Sequence, residues 1–257
     1  MSDSKRNTLA TLGPTWLVEP ASVLGSVGSD SGSQSEGLAS RLDEVFGRAA
    51  PRMLDIGVGT GEATVAWAVA HPDHDVMAVE LHLPGIARLL AAGHAAGLAN
   101  VRVLEADVTR LLDLAPGGPD DAAPFTQVRV LFPDPWPKKR HVRRRLVDGN
   151  FIGQITDLLA VGGTLHLATD WPPYADQMRA VIATEPRLEP QVDEVDPVEV
   201  ADVVDVVDET EPEPEGGAPA GAVRWRSQRP ERPVTAYEQR GLDAGRPITD
   251  LMARRSR

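Results

Sequence analysis

The stretch FPDPWPKKRHVRRRL, residues 132–146, sets one carboxylate between two prolines and follows it with six Lys or Arg. Pro133 and Pro135 restrict the backbone on both sides of Asp134. Lys138, Lys139, Arg140, Arg143, Arg144 and Arg145 then form a cationic run in a chain whose formal net charge is -12. Such a run suits a ligand with phosphates, and a polynucleotide can engage all six cations. Asp170, in LATDWPPY, ends another apolar stretch in the same manner. The plainer readings are a turn cap for Asp134, a helix cap for Asp170 and a solvated helix start for the cations. The concentration of basic charge in an acidic chain favours the site.

A second constellation lies upstream. LDIGVGTG places Gly57, Gly59 and Gly61 between an apolar run and a helical pattern. Glycines there let the backbone take positive φ and approach a ligand closely. Glu80 follows nineteen residues beyond Gly61, the place of an acid that takes the two hydroxyls of a ribose. Asp107 closes EAD at the end of a further apolar run. The glycine spacing is GxGxG, not the GxGxxG of the nicotinamide fingerprint, and Asp55 stands two residues before Gly57. A carboxylate there crowds a pyrophosphate and suits an ammonium. S-Adenosylmethionine carries an ammonium, a sulfonium and a ribose, with no phosphate, so the site chemistry favours it.

The two constellations together define a reaction. Guanine presents hydrogen-bond donors at N1 and N2, which a carboxylate such as Asp134 accepts. Its N7 has a lone pair and no hydrogen, so it can attack a sulfonium methyl without losing a proton. Alignment and charge complementarity then matter more than a general base.

The elements needed to position these residues follow from periodicity. LASRLDEVFGRAA has a helical apolar face and stops at Pro51. Apolar strands are predicted at Met53–Ile56, in DVMAVEL, in NVRVLEAD, at Val128–Phe132 and in TLHLATDW. Helical patterns separate them: GEATVAWAVAHP, PGIARLLAAGHAAGL, a short VTRLLDLAP, a segment from about Arg144 to Val161, and PPYADQMRAVIATEP. This alternation predicts an α/β, Rossmann-like fold with a doubly wound, mostly parallel sheet. Residues 1–37 are expected to be a flexible Gly/Ser-rich tail, with Trp16, Leu17 and Val18 able to dock. Residues 38–188 form the core. Residues 189–222 form an acidic insertion whose first half could pair as an edge strand, and 223–257 complete the domain.

Composition bounds the rest. With no cysteine, a disulfide framework and a Cys-based metal site or nucleophile are excluded. His71, His74, His82, His94, His141 and His166 show no metal-ligand clustering, and no metal is expected; His166 reads as a packed strand residue. No apolar run approaches the about 20 residues that cross a bilayer, and the expected location is cytoplasmic. Glu189 to Glu215 holds twelve acidic residues and no Lys or Arg, so the remainder is close to neutral. The distribution of charge therefore decides the partner, not its sum.

In these blocks the chain resembles the bacterial tRNA (guanine-N7-)-methyltransferase family. LDIGVGTG, VMAVELHLPGI, GLANVRVLEAD, FPDPWPKKRHVRRRL, GGTLHLATDWPPYA, RPVTAYEQRG and ITDLM occur in the family's order. The resemblance implies methyl transfer from S-adenosylmethionine to guanine 46 in the variable loop of tRNA. It implies Asp55, Glu80, Asp107 and Asp134 as cofactor residues, alongside the three glycines, and Asp134 as the catalytic aspartate. It implies Lys138, Arg140, Arg143, Arg144, Arg145, Asp170 and Thr235, Ala236, Tyr237 and Glu238 as contacts to tRNA. Asp55 stands where the family usually has glutamate. The Gly/Ser-rich N-terminal region stands where the family often has an Arg-rich one. Rival readings are a methyltransferase of another RNA, a small molecule or a protein, a nicotinamide-dependent oxidoreductase, and a noncatalytic RNA-binding relative. Whether the protein is a monomer or a homodimer is left open.

Overall fold

The computed structural model describes residues 1–24, 37–109, 112, 123–191, 225, 230 and 232–257. These carry an eight-stranded sheet in the order β1-β4-β3-β2-β5-β6-β8-β7. The strands are β1 (Leu17–Val18), β2 (Arg52–Ile56), β3 (Asp75–Glu80), β4 (Val101–Glu105), β5 (Phe125–Leu131), β6 (Leu159–Thr169), β7 (Leu188–Pro190) and β8 (Thr249–Arg255). Neighbours from β1 to β6 run parallel. β8 runs antiparallel to both β6 and β7. All five β2 residues are buried, as a strand covered on both faces requires.

Alternate side chains feed two cores. Met53, Val76, Ala78, Val101 and Val103 pack on one face with Ile86, Leu89 and Leu90 of α5 (Leu83–Ala95) and with α4 (Glu62–Ala70). Leu54, Met77, Val79, Leu104, Val128 and Val130 pack on the other. There they meet α3 (Leu38–Phe46), α6 (Gly149–Leu158) and α7 (Pro172–Thr184). From β2 the order continues to β3 and β4 on one side and to β5 and β6 on the other. That reversal opens a crevice beyond the carboxyl ends of β2 and β5.

The doubly wound parallel sheet matches the expectation, with four differences. First, the expected flexible tail starts with α1 (Asp3–Trp16), then β1, which pairs with β4, and α2 (Pro20–Leu24). The docking works because Gly93 leaves room for an indole. A Cβ there would lie 2.4 Å from Trp16 Cη2. Burying Trp16 offsets the entropy of ordering the segment. Second, the helix expected from about Arg144 is shorter. Lys139–Arg144 is a 3-10 turn, and Asp148 caps α6 by accepting from the Phe151 N–H at 2.9 Å. Third, β6 begins at Leu159, where a helix was expected to reach Val161. Fourth, TDLMARR forms β8, inserted between β6 and β7. The edge strand expected in the acidic insertion and all but Leu112 of the helix after Thr109 lie outside the described residues.

Candidate active site

A cleft of about 390 Å³ opens at the β2/β5 switch point. Its floor is the glycine turn after β2. Gly57, Gly59 and Gly61 have φ of 70, 57 and 80°, values that only glycine takes at little cost. Two packing contacts hold this turn against α5. A Cβ on Gly61 would lie 2.5 Å from Leu89 Cδ1, and one on Gly85 would lie 2.2 Å from the Gly59 carbonyl oxygen. Gly61 thus seats the turn, while Gly57 and Gly59 line the cleft.

Glu80 ends β3 at the side of this floor. Its Oε2 accepts from the Gly59 N–H at 2.8 Å; its Oε1 accepts from the Leu81 and His82 N–H groups at 2.7 and 2.8 Å. A carboxylate offers about four acceptor positions, so one remains for a ligand. Asp107 follows β4 and lines the same cleft. Its Oδ1 accepts from the Thr109 N–H and hydroxyl at 3.0 and 2.8 Å.

Asp55, expected to accept an ammonium, lines the cleft with its charge already paired. It is buried, and Arg129, its register partner on β5, donates to both of its oxygens at 3.1 and 2.5 Å. The Thr64 hydroxyl adds a third bond at 2.7 Å. The carboxylate is neutralised from inside, because an unpaired buried charge is costly. Arg129 is the residue that sequence reasoning missed here. An arginine inside the apolar run VRVLF was the available signal, since a buried guanidinium must have a carboxylate partner.

Asp134 stands exposed at the mouth, between two residues in left-handed backbone. Phe132 has φ 54° and Trp136 φ 41°, uncommon for bulky side chains. Strained backbone of this kind persists only where the surroundings hold it, and it gathers at functional sites. The Phe132 N–H donates to the Ala168 carbonyl at 2.8 Å, which ties the loop to β6. Arg144 stacks over Trp136 at 5.0 Å, and both line the cleft with Asp134.

The cationic run divides in two. Lys138, Lys139, Arg140, Arg143 and Arg144 are exposed, and Arg144 lines the cleft. Arg145 is not; it is 6% exposed, and its expected contact to tRNA is corrected. Its guanidinium donates to the Pro135 carbonyl and to Gln177 Oε1, each at 2.8 Å, and stacks over Tyr174 at 4.9 Å. It ties the Asp134 loop to α7. Tyr174 is itself buried; desolvation pushes its phenol up to about 12, and its oxygen accepts from the Val147 N–H.

The C-terminal segment folds back over the sheet. Thr235 caps α8 (Ala236–Asp243), and Thr235 and Tyr237 join the cleft wall. The Tyr237 ring lies 3.3 Å from where a Gly59 Cβ would stand. The Ala236 N–H donates to Glu62 Oε2 at 3.1 Å, pinning α8 to the start of α4. Glu238 and Asp170, expected to contact the substrate, lie outside the cleft lining. Glu238 is buried in an ion pair with Arg232, and Asp170 accepts from Arg246 at 2.8 Å beneath α8. His166 is buried, as its strand position led us to expect, and bonds Asp250 Oδ1 through Nε2 at 2.7 Å. Burial holds its imidazole below the ordinary value, so the neutral ring donates. Among the described residues no group of His, Asp and Glu has the geometry of a metal site.

Among the described residues, with Asp55 already paired to Arg129, the cleft's charged lining is Glu62, Glu80, Asp107 and Asp134 against Arg144. That set repels a pyrophosphate and fits a phosphate-free, cationic ligand. A doubly wound sheet with such a cleft at its switch point defines the class of Rossmann-like methyltransferases. A family model described as "Putative methyltransferase" matches residues 49–213. A tRNA (guanine-N(7)-)-methyltransferase of Cutibacterium acnes is 38% identical over 99% of this chain and 79% of that protein. One from Alkalilimnicola ehrlichii is 40% identical over 83% and 76%, and one from Nocardioides sp. is 42% identical over 82% and 70%. The chain belongs to this methyltransferase family and is a relative of the tRNA (guanine-N(7)-)-methyltransferases. Membership supports S-adenosylmethionine as the methyl donor.

Proposed function

We propose that the protein methylates N7 of guanine 46 in the variable loop of tRNA, using S-adenosylmethionine. The observation that carries this reading is Asp134, set by strained backbone between an acidic cleft and a run with five exposed cations. Gly57, Gly59, Glu80 and Asp107 hold the cofactor, with Asp55 and Gly61 shaping the floor beneath it. S-Adenosylmethionine supplies an electrophilic methyl on a sulfonium. Asp134 accepts hydrogen bonds from guanine N1 and N2 and orients N7 toward that methyl. The N7 lone pair would form the new N–CH3 bond as the sulfur–methyl bond breaks, its electron pair staying on sulfur to give neutral S-adenosylhomocysteine, and no proton is removed. The purine becomes cationic, which the Asp134 carboxylate favours electrostatically. Lys138, Arg140, Arg143 and Arg144 hold phosphates around the base. Thr235 and Tyr237 close the rim.

Incubation with labelled S-adenosylmethionine and unmodified tRNA, followed by nucleoside analysis, tests the reading. Label in 7-methylguanosine at position 46 is expected. Label in a different nucleoside, or none in tRNA, refutes it.

A further inference from the structure

Arg232 lies just before α8, with its side chain 2% exposed. It is absent from the cleft lining, yet its guanidinium joins three elements, two of which, the Phe132 loop and the α8 segment, line the cleft. It forms an ion pair with Glu238 of α8. Its Nη2 donates to both Asp250 oxygens of β8, each at 3.1 Å. Its guanidinium carbon sits 5.5 Å from the centre of the Phe132 ring. Phe132 is the left-handed residue two positions before Asp134, and Glu238 follows Tyr237 directly. Asp250 is also anchored by His166 of β6, which bonds its Oδ1.

A buried cation with two carboxylate partners is costly to assemble, and a hydrophobic cluster of similar volume commonly matches it in stability. Stability therefore gives it little explanation. Geometry gives more. A planar guanidinium offers five donors in a fixed fork and a flat face for stacking. Those features let one side chain define the relative placement of a strand, a helix and a ring. Lysine carries the same charge without the fork or the face.

We propose that Arg232 is a positioning residue for methyl transfer. It locks the Phe132–Trp136 loop, which carries Asp134, in fixed relation to the Thr235–Tyr237 rim. This rests on the function proposed above. Catalysis that depends on alignment is sensitive to such a lock, since a displacement of about 1 Å can cost on the order of 100-fold in rate.

The test compares wild type, Arg232→Lys and Phe132→Leu. The lysine variant keeps the charge facing Glu238 and Asp250, and the leucine variant keeps both ion pairs while removing the stacked ring. Each is expected to lower kcat by about 10- to 100-fold; because Phe132 itself lines the cleft, the KM for S-adenosylmethionine is read on Arg232→Lys, where it is expected to be unchanged. Wild-type kcat in both variants overturns the proposal, as does a raised KM for the cofactor with kcat preserved. If Arg232→Lys does not fold, hydrogen exchange of Phe132→Leu in residues 132–136 and α8 decides. If the wild type forms no 7-methylguanosine, the functional reading fails, and hydrogen exchange on the two variants judges the positioning role. Joint loss of protection in residues 132–136 and in α8, with β3 and β4 unchanged, supports it. Wild-type protection in both overturns it.

Discussion

Gly85→Ala offers a sharp test of how the cleft floor is held. Gly85 sits in the first turn of α5, one residue after Pro84. In a helix, replacing glycine by alanine ordinarily stabilises by about 0.5–1 kcal/mol, because the unfolded chain loses freedom. Here the new Cβ would stand 2.2 Å from the Gly59 carbonyl oxygen, well inside the 3.4 Å at which ordinary contact begins. The obstacle is backbone, so no side chain can swing away. Overpacking of this kind costs about 1–3 kcal/mol. It exceeds the helical gain, and the net loss of about 1–2 kcal/mol lowers Tm by roughly 2–8 °C for a domain of this size. The binding effect should be larger than the stability effect suggests. Gly59 must move, and its N–H is the donor that ties the floor to Glu80. A tenfold or greater weakening of S-adenosylmethionine binding by calorimetry is expected, about 1.4 kcal/mol. Gly153→Ala in α6 is the control, since the nearest atom to its Cβ is Glu185 Oε2 at 4.0 Å. It should bind cofactor normally and melt at or above the wild-type temperature. If Gly85→Ala behaves like Gly153→Ala, the turn is not clamped by α5 and the account of the floor is wrong.

Asp134→Ala should abolish methyl transfer while leaving most tRNA affinity, measured by single-turnover kinetics beside filter binding; near-normal turnover would rule out its role. The arginines should separate by burial. Arg140→Gln with Arg143→Gln should raise the KM for tRNA and flatten its salt dependence, whereas Arg145→Ala should lower stability by about 2–3 kcal/mol through its lost hydrogen bonds, read by denaturant unfolding. His166 and Asp250 predict two acid windows. Burial depresses the folded His166 value, so the unfolded state takes a proton that the folded state refuses. Stability should then fall as pH drops below about 6.5. For Asp250, burial opposes ionisation, but the His166 bond and Arg232 outweigh it and lower its value. Its contribution is present above the unfolded value of about 3.9 and is lost as pH falls through the folded one. His166→Gln should remove the first window and narrow the second, since His166 helps lower the Asp250 value, and persistence of the first slope would refute the assignment.

Much of this site could be read from the chain because its determinants are local. Gly57, Gly59 and Gly61 follow a strand within a few residues, and each takes positive φ because the turn demands it there. Glu80, Asp107 and Asp134 each close an apolar run, so the parallel sheet delivers them to one crevice once strands and helices alternate. What failed was every question about a partner far along the chain. Nothing local to Asp55 reveals that Arg129, 74 residues on, consumes its charge. Arg145 looks like its neighbours in sequence, yet α7 buries it while Arg143 and Arg144 stay in solvent. The order of α1 depends on the space at Gly93, and the strand identity of Thr249–Arg255 depends on a gap between β6 and β7. Residue type and short-range spacing thus determined which groups could act. Long-range packing decided which of them keep a free charge, because desolvation forces every buried ion to find its counterpart before a ligand can.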